Sequence, residues 1–381
     1  MKLRSCRAAV RSAVYAVVLA MAGLSLVAAS AMSAPVKYVA LGDSYSAASG
    51  VLPLDPSAPP QCLRSSRNYP HVIAAKTGAN LTDVSCGAAD TGDFAGSQYP
   101  GVKPQLDALR PDTELVTMTI GGNDSSVFIG AILSCGSVGA LALGQGHPCK
   151  DKYGSSFEDT IRNTTYPSLV EALGAVRERA PVAKVAILSY PWIVPETRGC
   201  FPSMPVAEGD IPYLRSLQTT LNDAVKRAAA ATGAIYVDLN GVSDGHDACK
   251  AIGTRWVEPV LLGTNPVIVH PNALGESKMA DQTIKVLSEV KDSPIAASAP
   301  ETKIRKMTVR KAKRKVTFRF TSSAAGSTFR CRIDRKRFRD CRNPKTFRGM
   351  KPGRHLFRVV AIDPAGVKDK TPARKRFRIG K

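Results

Sequence analysis

The stretch Lys37-Tyr38-Val39-Ala40-Leu41-Gly42-Asp43-Ser44-Tyr45-Ser46 decides the fold. Its first half is a continuous apolar run, which reads as a strand buried on both faces. Its second half breaks the run with a glycine and then supplies Asp and Ser, residue types that start helices. A strand that turns into a helix this abruptly opens a βα unit. A serine at such a turn can lift its hydroxyl to the sheet edge, with its own N–H facing the same space. Taken alone, Ser44 reads equally well as a helix N-cap.

Working outward, the same alternation repeats through residues 36–290. Leu81–Cys86, Leu115–Ile120, Val185–Tyr190 and Ala234–Leu239 read as further buried strands. Tyr69–Thr77, Phe157–Arg179, Ile211–Thr232 and Asn272–Val290 read as helices between and after them. This βαβα order predicts an α/β fold, a parallel sheet with helices on both faces. Active sites in such sheets lie at the C-terminal ends of the strands. Two more strand ends are rich in turn residues. Cys86-Gly87-Ala88-Ala89 follows the second strand and Gly121-Gly122-Asn123-Asp124 the third. Three strand ends thus offer one hydroxyl and three hydrogen-bond donors, the N–H groups of Ser44 and Gly87 and the Asn123 amide. Stabilising the tetrahedral oxyanion of acyl transfer requires that set.

A serine nucleophile needs a base. Of five histidines, His270 stands in a loop just before the last helix, within Val269-His270-Pro271-Asn272. His71 falls in a helix, His147 and His246 sit beside cysteines, and His355 lies in the C-terminal part of the chain. Trp192 and Trp256 are candidates for an acyl pocket, with core packing the simpler reading. Asp43 is read as holding the nucleophile loop rather than reacting.

The flanks of this region differ from it. Residues 1–33 carry a basic start, an apolar run from Ala13 to Ala29 and small-x-small cleavage sites, the pattern of an export signal. The run is short for a membrane anchor. Eight cysteines follow: Cys62, Cys86, Cys135, Cys149, Cys200, Cys249, Cys331 and Cys341. An even count in an exported chain predicts disulfides, four here, paired in sequence order so that each bridge closes one loop, although spacing alone does not fix connectivity. There is no Cys-x-x-Cys pair, so no metal is expected, and no cofactor.

The net charge of +22 is unevenly spread. Residues 301–381 hold 28 Lys and Arg against 5 Asp and Glu, a net +23. Such asymmetry between parts predicts two modules with different partners. Residues 291–302, rich in Pro, Ala and Ser, read as a linker. Lys315–Phe320, Ser327–Ile333, His355–Ile362 and Lys375–Ile379 alternate polar with apolar residues, so residues 303–381 are expected to form a small antiparallel β-sandwich. A domain so basic attracts polyanions, and an anionic cell-wall or membrane surface is the expected partner. No motif for ordered nucleic-acid readout is present.

The set Gly42-Asp43-Ser44-Tyr45, Gly87, Gly121-Gly122-Asn123-Asp124 and His270-Pro271-Asn272 resembles the SGNH, or GDSL, hydrolase superfamily. The segments Tyr38–Val51 and Val242–Cys249 are similar to secreted, disulfide-bonded Streptomyces-type lipases of that superfamily. The resemblance implies a flavodoxin-like three-layer sandwich over residues 34–290, a metal-free serine esterase or lipase acting on lipid acyl esters, and catalytic Ser44 and His270. It also implies an oxyanion hole of Ser44, Gly87 and Asn123. A carbohydrate O-deacetylase is the alternative, since one fold hosts both chemistries, and a catalytically weak surface-binding protein is another. Residues 318–341, with Gly326-Ser327-Thr328-Phe329 and Cys331/Cys341, together with Pro364-Ala365-Gly366, resemble small bacterial Ig-like modules. The acid that most members carry three residues before the histidine is replaced by Val267. Its main-chain carbonyl is the expected orienting group for His270, with Asp244 as the other candidate. The chain is expected to be a secreted monomer.

Overall fold

The computed structural model of the chain describes residues 34–295, 300–310, 312, 314–324, 326–363 and 368–380. The expected signal segment 1–33 and Pro364-Ala365-Gly366 therefore lie outside the described residues, as do residues 296–299 of the expected linker.

Five strands form one parallel sheet: β1 Lys37–Ala40, β2 Asn80–Asp83, β3 Leu115–Met118, β4 Lys184–Leu188 and β5 Ile235–Val237. Their order is β2-β1-β3-β4-β5, and every pairing is parallel. This is the flavodoxin-like order, and the direction of winding switches on either side of β1. The nine helices described are α1 Ser44–Ala47, α2 Tyr69–Thr77, α3 Val127–Leu141, α4 Pro148–Tyr153, α5 Ser156–Thr160, α6 Tyr166–Arg179, α7 Ile211–Thr232, α8 Asn240–Ser243 and α9 Ala273–Glu289.

The expected apolar runs become the sheet because both faces are covered. On one face, Val116, Met118, Val185 and Ile187 pack with Ile132 of α3, Leu173 of α6 and Leu221 of α7. On the other, Tyr38, Ala40, Leu115 and Leu188 pack with Ile73 of α2 and Met279 of α9. Burying each of these large side chains stabilises the fold by about 1.5–3 kcal/mol. Helix α2 starts where Asn68 accepts from the His71 N–H at 3.1 Å, and α7 ends at Gly233 in the left-handed region. The expected helix over 157–179 is two α-helices joined by a π turn at Ile161–Thr165. Helix α3 was not anticipated. Its sequence, VFIGAILSCGSVGAL, is apolar nearly all round, so it carries no amphipathic period to read.

The disulfides are Cys62–Cys86, Cys135–Cys149, Cys200–Cys249 and Cys331–Cys341. Seven strands follow: β6 Thr302–Arg310, β7 Lys315–Ser322, β8 Thr328–Ile333, β9 Arg339–Cys341, β10 Lys345–Phe347, β11 Gly353–Ile362 and β12 Ala373–Ile379. They form two antiparallel sheets, β10-β7-β6 and β12-β11-β8-β9. Val316, Phe318, Phe320, Phe357, Val359 and Ile379 close a small core between them. Strand β6 begins at Thr302, so the last residue read as linker is already paired.

Candidate active site

The site lies at the C-terminal ends of β1, β2 and β3, around the switch in strand order. The chain leaves β1 through Gly42, at φ +117°, where a Cβ would stand 2.3 Å from the Thr119 carbonyl. Only glycine lets the two strand ends approach this closely. The Asp43 N–H then donates to that same carbonyl at 3.0 Å. The Asp43 carboxylate caps α1 by accepting from the Tyr45 N–H at 2.9 Å, and it also accepts from the Thr119 hydroxyl at 2.6 Å and from the Tyr190 hydroxyl. Asp43 is fully buried, and burial pushes its pKa up to about 6 against the pull of these donors. These bonds tie the loop that carries Ser44 to β3 and to Tyr190.

Ser44 is the first residue of α1 and is 8% exposed. Its N–H has no acceptor among the described residues, as befits the first turn of a helix. Asn123 follows β3. Its Nδ2 donates to the Ala89 carbonyl at 2.9 Å, which uses one amide hydrogen and leaves the other free. The neighbouring Asp124 accepts from the Thr91 N–H and hydroxyl, both at 3.0 Å. Burial raises its pKa to about 6.

Gly87 departs from expectation. Its N–H donates to the Cys62 carbonyl at 2.9 Å, so it is not available to a substrate. A Cβ there would meet Ser49 Oγ at 2.8 Å and the Cys62 carbonyl at 2.9 Å. The glycine is there because the Cys62–Cys86 bridge draws two backbones together. The next residue, Ala88, is exposed and sits at φ +66°. Its N–H has no acceptor among the described residues. A spent donor and a free one are adjacent in sequence, and no reading of residue types separates them.

His270 is 8% exposed and lines one small pocket with Asp43, Ser44, Gly122 and Asn123. Its Nδ1 lies 2.6 Å from the Ile268 carbonyl. A carbonyl only accepts, so Nδ1 carries the hydrogen and Nε2 is left as the basic nitrogen. The expected orienting group, the Val267 carbonyl, is therefore corrected to that of Ile268. The reason is local: Val269 is held at φ +51°, and this left-handed residue curls the carbonyl two positions back onto the ring. Such a conformation is costly for a β-branched residue. It is pinned by the Tyr45 hydroxyl, which donates to the Val269 carbonyl at 2.5 Å. The other candidate, Asp244, is 72% exposed and pairs with Arg215 at 3.2 Å. Burial lowers the His270 pKa, partly offset by the Ile268 carbonyl.

A carboxylate does brace the histidine loop. Glu258 accepts from Arg255 Nη2 at 2.6 Å, the Thr264 N–H at 2.7 Å and Asn272 Nδ2 at 2.7 Å. Its own N–H donates to the His270 carbonyl at 2.9 Å. Glu258 lies twelve residues before the histidine, outside any motif spacing, so the sequence gives no sign of it. The remaining pocket wall is Phe128, Ile129 and Ile132 of α3, with Tyr190, Ile193 and Val269. Trp192 and Trp256 are not on it. Trp192 stacks on Arg215 with 3.4 Å to the ring centroid, and Trp256 stacks on His246 at 4.7 Å. His71, His147, His246 and His355 are each bonded elsewhere.

Comparison with known proteins gives the family. Residues 40–278 match the GDSL-like Lipase/Acylhydrolase family. Lipase 2 of Streptomyces coelicolor is 60% identical over 288 residues, covering 75% of this chain and 97% of the relative. A lipase of Streptomyces rimosus is 31% identical over 274 residues, covering 70% and 94%. Among solved structures, an extracellular lipase from Streptomyces rimosus superposes with a TM-score of 0.55 at 29% identity, covering 67% of this chain and 100% of that one. A phospholipase A1 from Streptomyces albidoflavus gives 0.54 at 28%, covering 64% and 95%. With its parallel sheet, its serine at the strand switch and these relatives, the chain belongs to the GDSL-like lipase/acylhydrolase family of carboxylic ester hydrolases.

Proposed function

We propose that the chain is an exported serine esterase that hydrolyses lipid acyl esters through an acyl-enzyme, with Ser44 as nucleophile and His270 as base. One observation carries the reading. Ser44 and His270 line one pocket, and His270 Nδ1 is committed to the Ile268 carbonyl, which leaves Nε2 to take the serine proton. His270 Nε2 removes the Ser44 proton as Oγ attacks the ester carbonyl. The oxyanion that forms is held by the Ser44 N–H, the free Asn123 amide hydrogen and, in place of Gly87, the Ala88 N–H. The imidazolium then protonates the leaving alcohol. Water repeats the sequence on the acyl-enzyme, which releases the carboxylic acid and restores Ser44.

The substrate class is supported by the apolar wall of α3 and by the names of the relatives, lipases and a phospholipase A1. The free interior beside Ser44 is about 30 Å³, room for a water or two. In this reading the ester carbonyl enters and the acyl chain runs out over Phe128, Ile129 and Ile132. We assign residues 1–33 to a cleaved export signal, 34–290 to the hydrolase and 303–381 to a basic module that holds the enzyme at an anionic surface. The test is turnover of p-nitrophenyl esters from acetyl to palmitoyl, wild type against Ser44→Ala. Loss in the variant with a medium or long optimum supports the proposal. Undiminished turnover in the variant overturns the nucleophile, and a preference confined to acetyl overturns the lipid substrate in favour of a deacetylase.

A further inference from the structure

The outer face of the β8–β11–β12 sheet carries a field of arginines. Antiparallel register sets Arg354 opposite Arg378 and Arg358 opposite Arg374. Across the other edge of β11, Arg358 stands opposite Arg332. The intervening residues Phe357, Val359, Phe377 and Ile379 point into the core, so the arginines share the outward side. Like charges directly opposite in a sheet are destabilising. Here three such pairs occur in one small sheet.

No salt bridge among the described residues pairs them with a carboxylate. Arg332, Arg335, Arg354, Arg358, Arg376 and Arg378 line a groove of about 900 Å³, and none of the six forms an ion pair among the described residues. The acid on the groove wall, Asp334, is occupied: it accepts from His355 Nδ1 at 2.9 Å and from the Leu356 N–H at 2.8 Å. Arg332 Nε is buried and has no hydrogen-bond partner. A buried donor left unpaired costs about 1–3 kcal/mol, which adds to the cross-strand repulsion this sheet carries.

The occupant can be narrowed. A bilayer surface is usually engaged by apolar side chains as well as charge, yet every large apolar side chain exposed among the described residues lies between Leu52 and Leu262. Single-stranded nucleic acid binds on aromatic platforms, yet Phe318, Phe320, Phe357 and Phe377 are buried. Phe338 is covered by Arg332 and Lys368, at 4.7 and 5.8 Å from its ring centroid. What remains is charge in rows. Alternate residues along a strand repeat at about 6.8 Å, and neighbouring strands lie about 4.8 Å apart. A linear polymer with one phosphodiester per repeat can set successive charges on successive arginines. We propose that this groove binds an extended phosphodiester polymer of the poly(alditol phosphate) kind, the shared chemistry of anionic wall polymers. The proposal rests on the reading of the basic module as a surface-holding part, and it locates that property on one face.

The experiment uses the full chain and fluorescein-labelled poly(glycerol phosphate), followed by anisotropy across a salt series. Arg354→Ser/Arg376→Ser removes two groove charges. Lys306→Ser/Arg310→Ser removes two from the exposed side of β6, on the other sheet. The groove variant is expected to bind at least tenfold more weakly at low salt, with a log–log salt slope shallower by about 1.4. The β6 variant is expected to stay within threefold of wild type. Relief of the cross-strand repulsion should also leave the groove variant melting no lower than wild type, and unchanged p-nitrophenyl ester turnover reports an intact hydrolase. Equal weakening in both variants overturns the groove but leaves a surface-holding role by net charge. No wild-type binding at any salt overturns both. Tighter binding to phosphatidylglycerol vesicles or to an oligothymidylate than to poly(glycerol phosphate) overturns the ligand assignment.

Discussion

Tyr45→Phe removes one oxygen atom and tests how the base is aimed. In the wild type the Tyr45 hydroxyl donates to the Val269 carbonyl at 2.5 Å, across 224 residues of sequence. Losing a neutral hydrogen bond costs about 1 kcal/mol, and a buried carbonyl left unpaired adds about 1–3 kcal/mol. Release of Val269 from its left-handed conformation returns about 1–2 kcal/mol. The net loss is about 0–3 kcal/mol, and at its centre of about 1.5 kcal/mol the melting point falls by roughly 3–6 °C for a domain of this size. The ring itself stays packed against Tyr190 and His270, each 5.1 Å away. Catalysis should suffer far more than stability. Once Val269 relaxes, the Ile268 carbonyl swings off Nδ1 and the imidazole is free to tilt. Misplacement of a base by about 1 Å costs on the order of 10²-fold in rate. The assay is kcat/KM on p-nitrophenyl butyrate beside a urea melt of the same preparation. A variant that keeps kcat/KM within threefold while losing the stated stability refutes the aiming role and leaves Tyr45 as a brace of the fold.

Three other predictions follow from the site. Burial lowers the His270 pKa, and the imidazole acts as base when neutral, so kcat/KM should rise with pH and reach its plateau with a midpoint below 6.5; a midpoint at or above 7 contradicts the burial argument. Asp124 has a folded pKa of about 6 against 3.8 unfolded, so in that window the unfolded state binds fewer protons and stability falls as pH rises, by roughly 2–3 kcal/mol. Asp124→Asn should flatten that slope in urea melts between pH 4 and 6, and an unchanged slope assigns it to other groups. Replacing Cys62 and Cys86 by serine opens a loop with a sequence separation of 24, which should cost about 3.5 kcal/mol and free the Gly87 loop, so that kcat falls more than KM rises.

The sheet and the ends of its strands were legible because both rest on local rules. Five apolar runs of strand length separated by helix-length segments leave few arrangements, and Gly42-Asp43-Ser44 announces its turn. Helices α2 and α7 run as read, since each starts from a polar cap or a proline and ends at a glycine. Two kinds of feature escaped. Helix α3, which walls the pocket, is apolar all round and so shows no period. The partners of backbone groups escaped as well: the Gly87 N–H spent on Cys62, the Ile268 carbonyl in place of Val267, and Glu258 behind the histidine loop. Each depends on where segments distant in sequence meet. The candidate side chains Ser44, Asn123 and His270 do line one pocket, while the groups that tune them are fixed by tertiary contacts.

The long sequence span between Tyr45 and Val269 also sets an order in time. A ribosome releases Ser44 early and His270 late, and the loop that aims the base closes only when α9 docks on α2 and the Tyr45 hydroxyl finds the Val269 carbonyl. On the proposed assignment, the growing chain carries a nucleophile with no base. It is inert towards ester bonds until almost the whole hydrolase has been made. Completion of the fold and assembly of the proposed Ser–His pair are then one event, joined through a single hydroxyl.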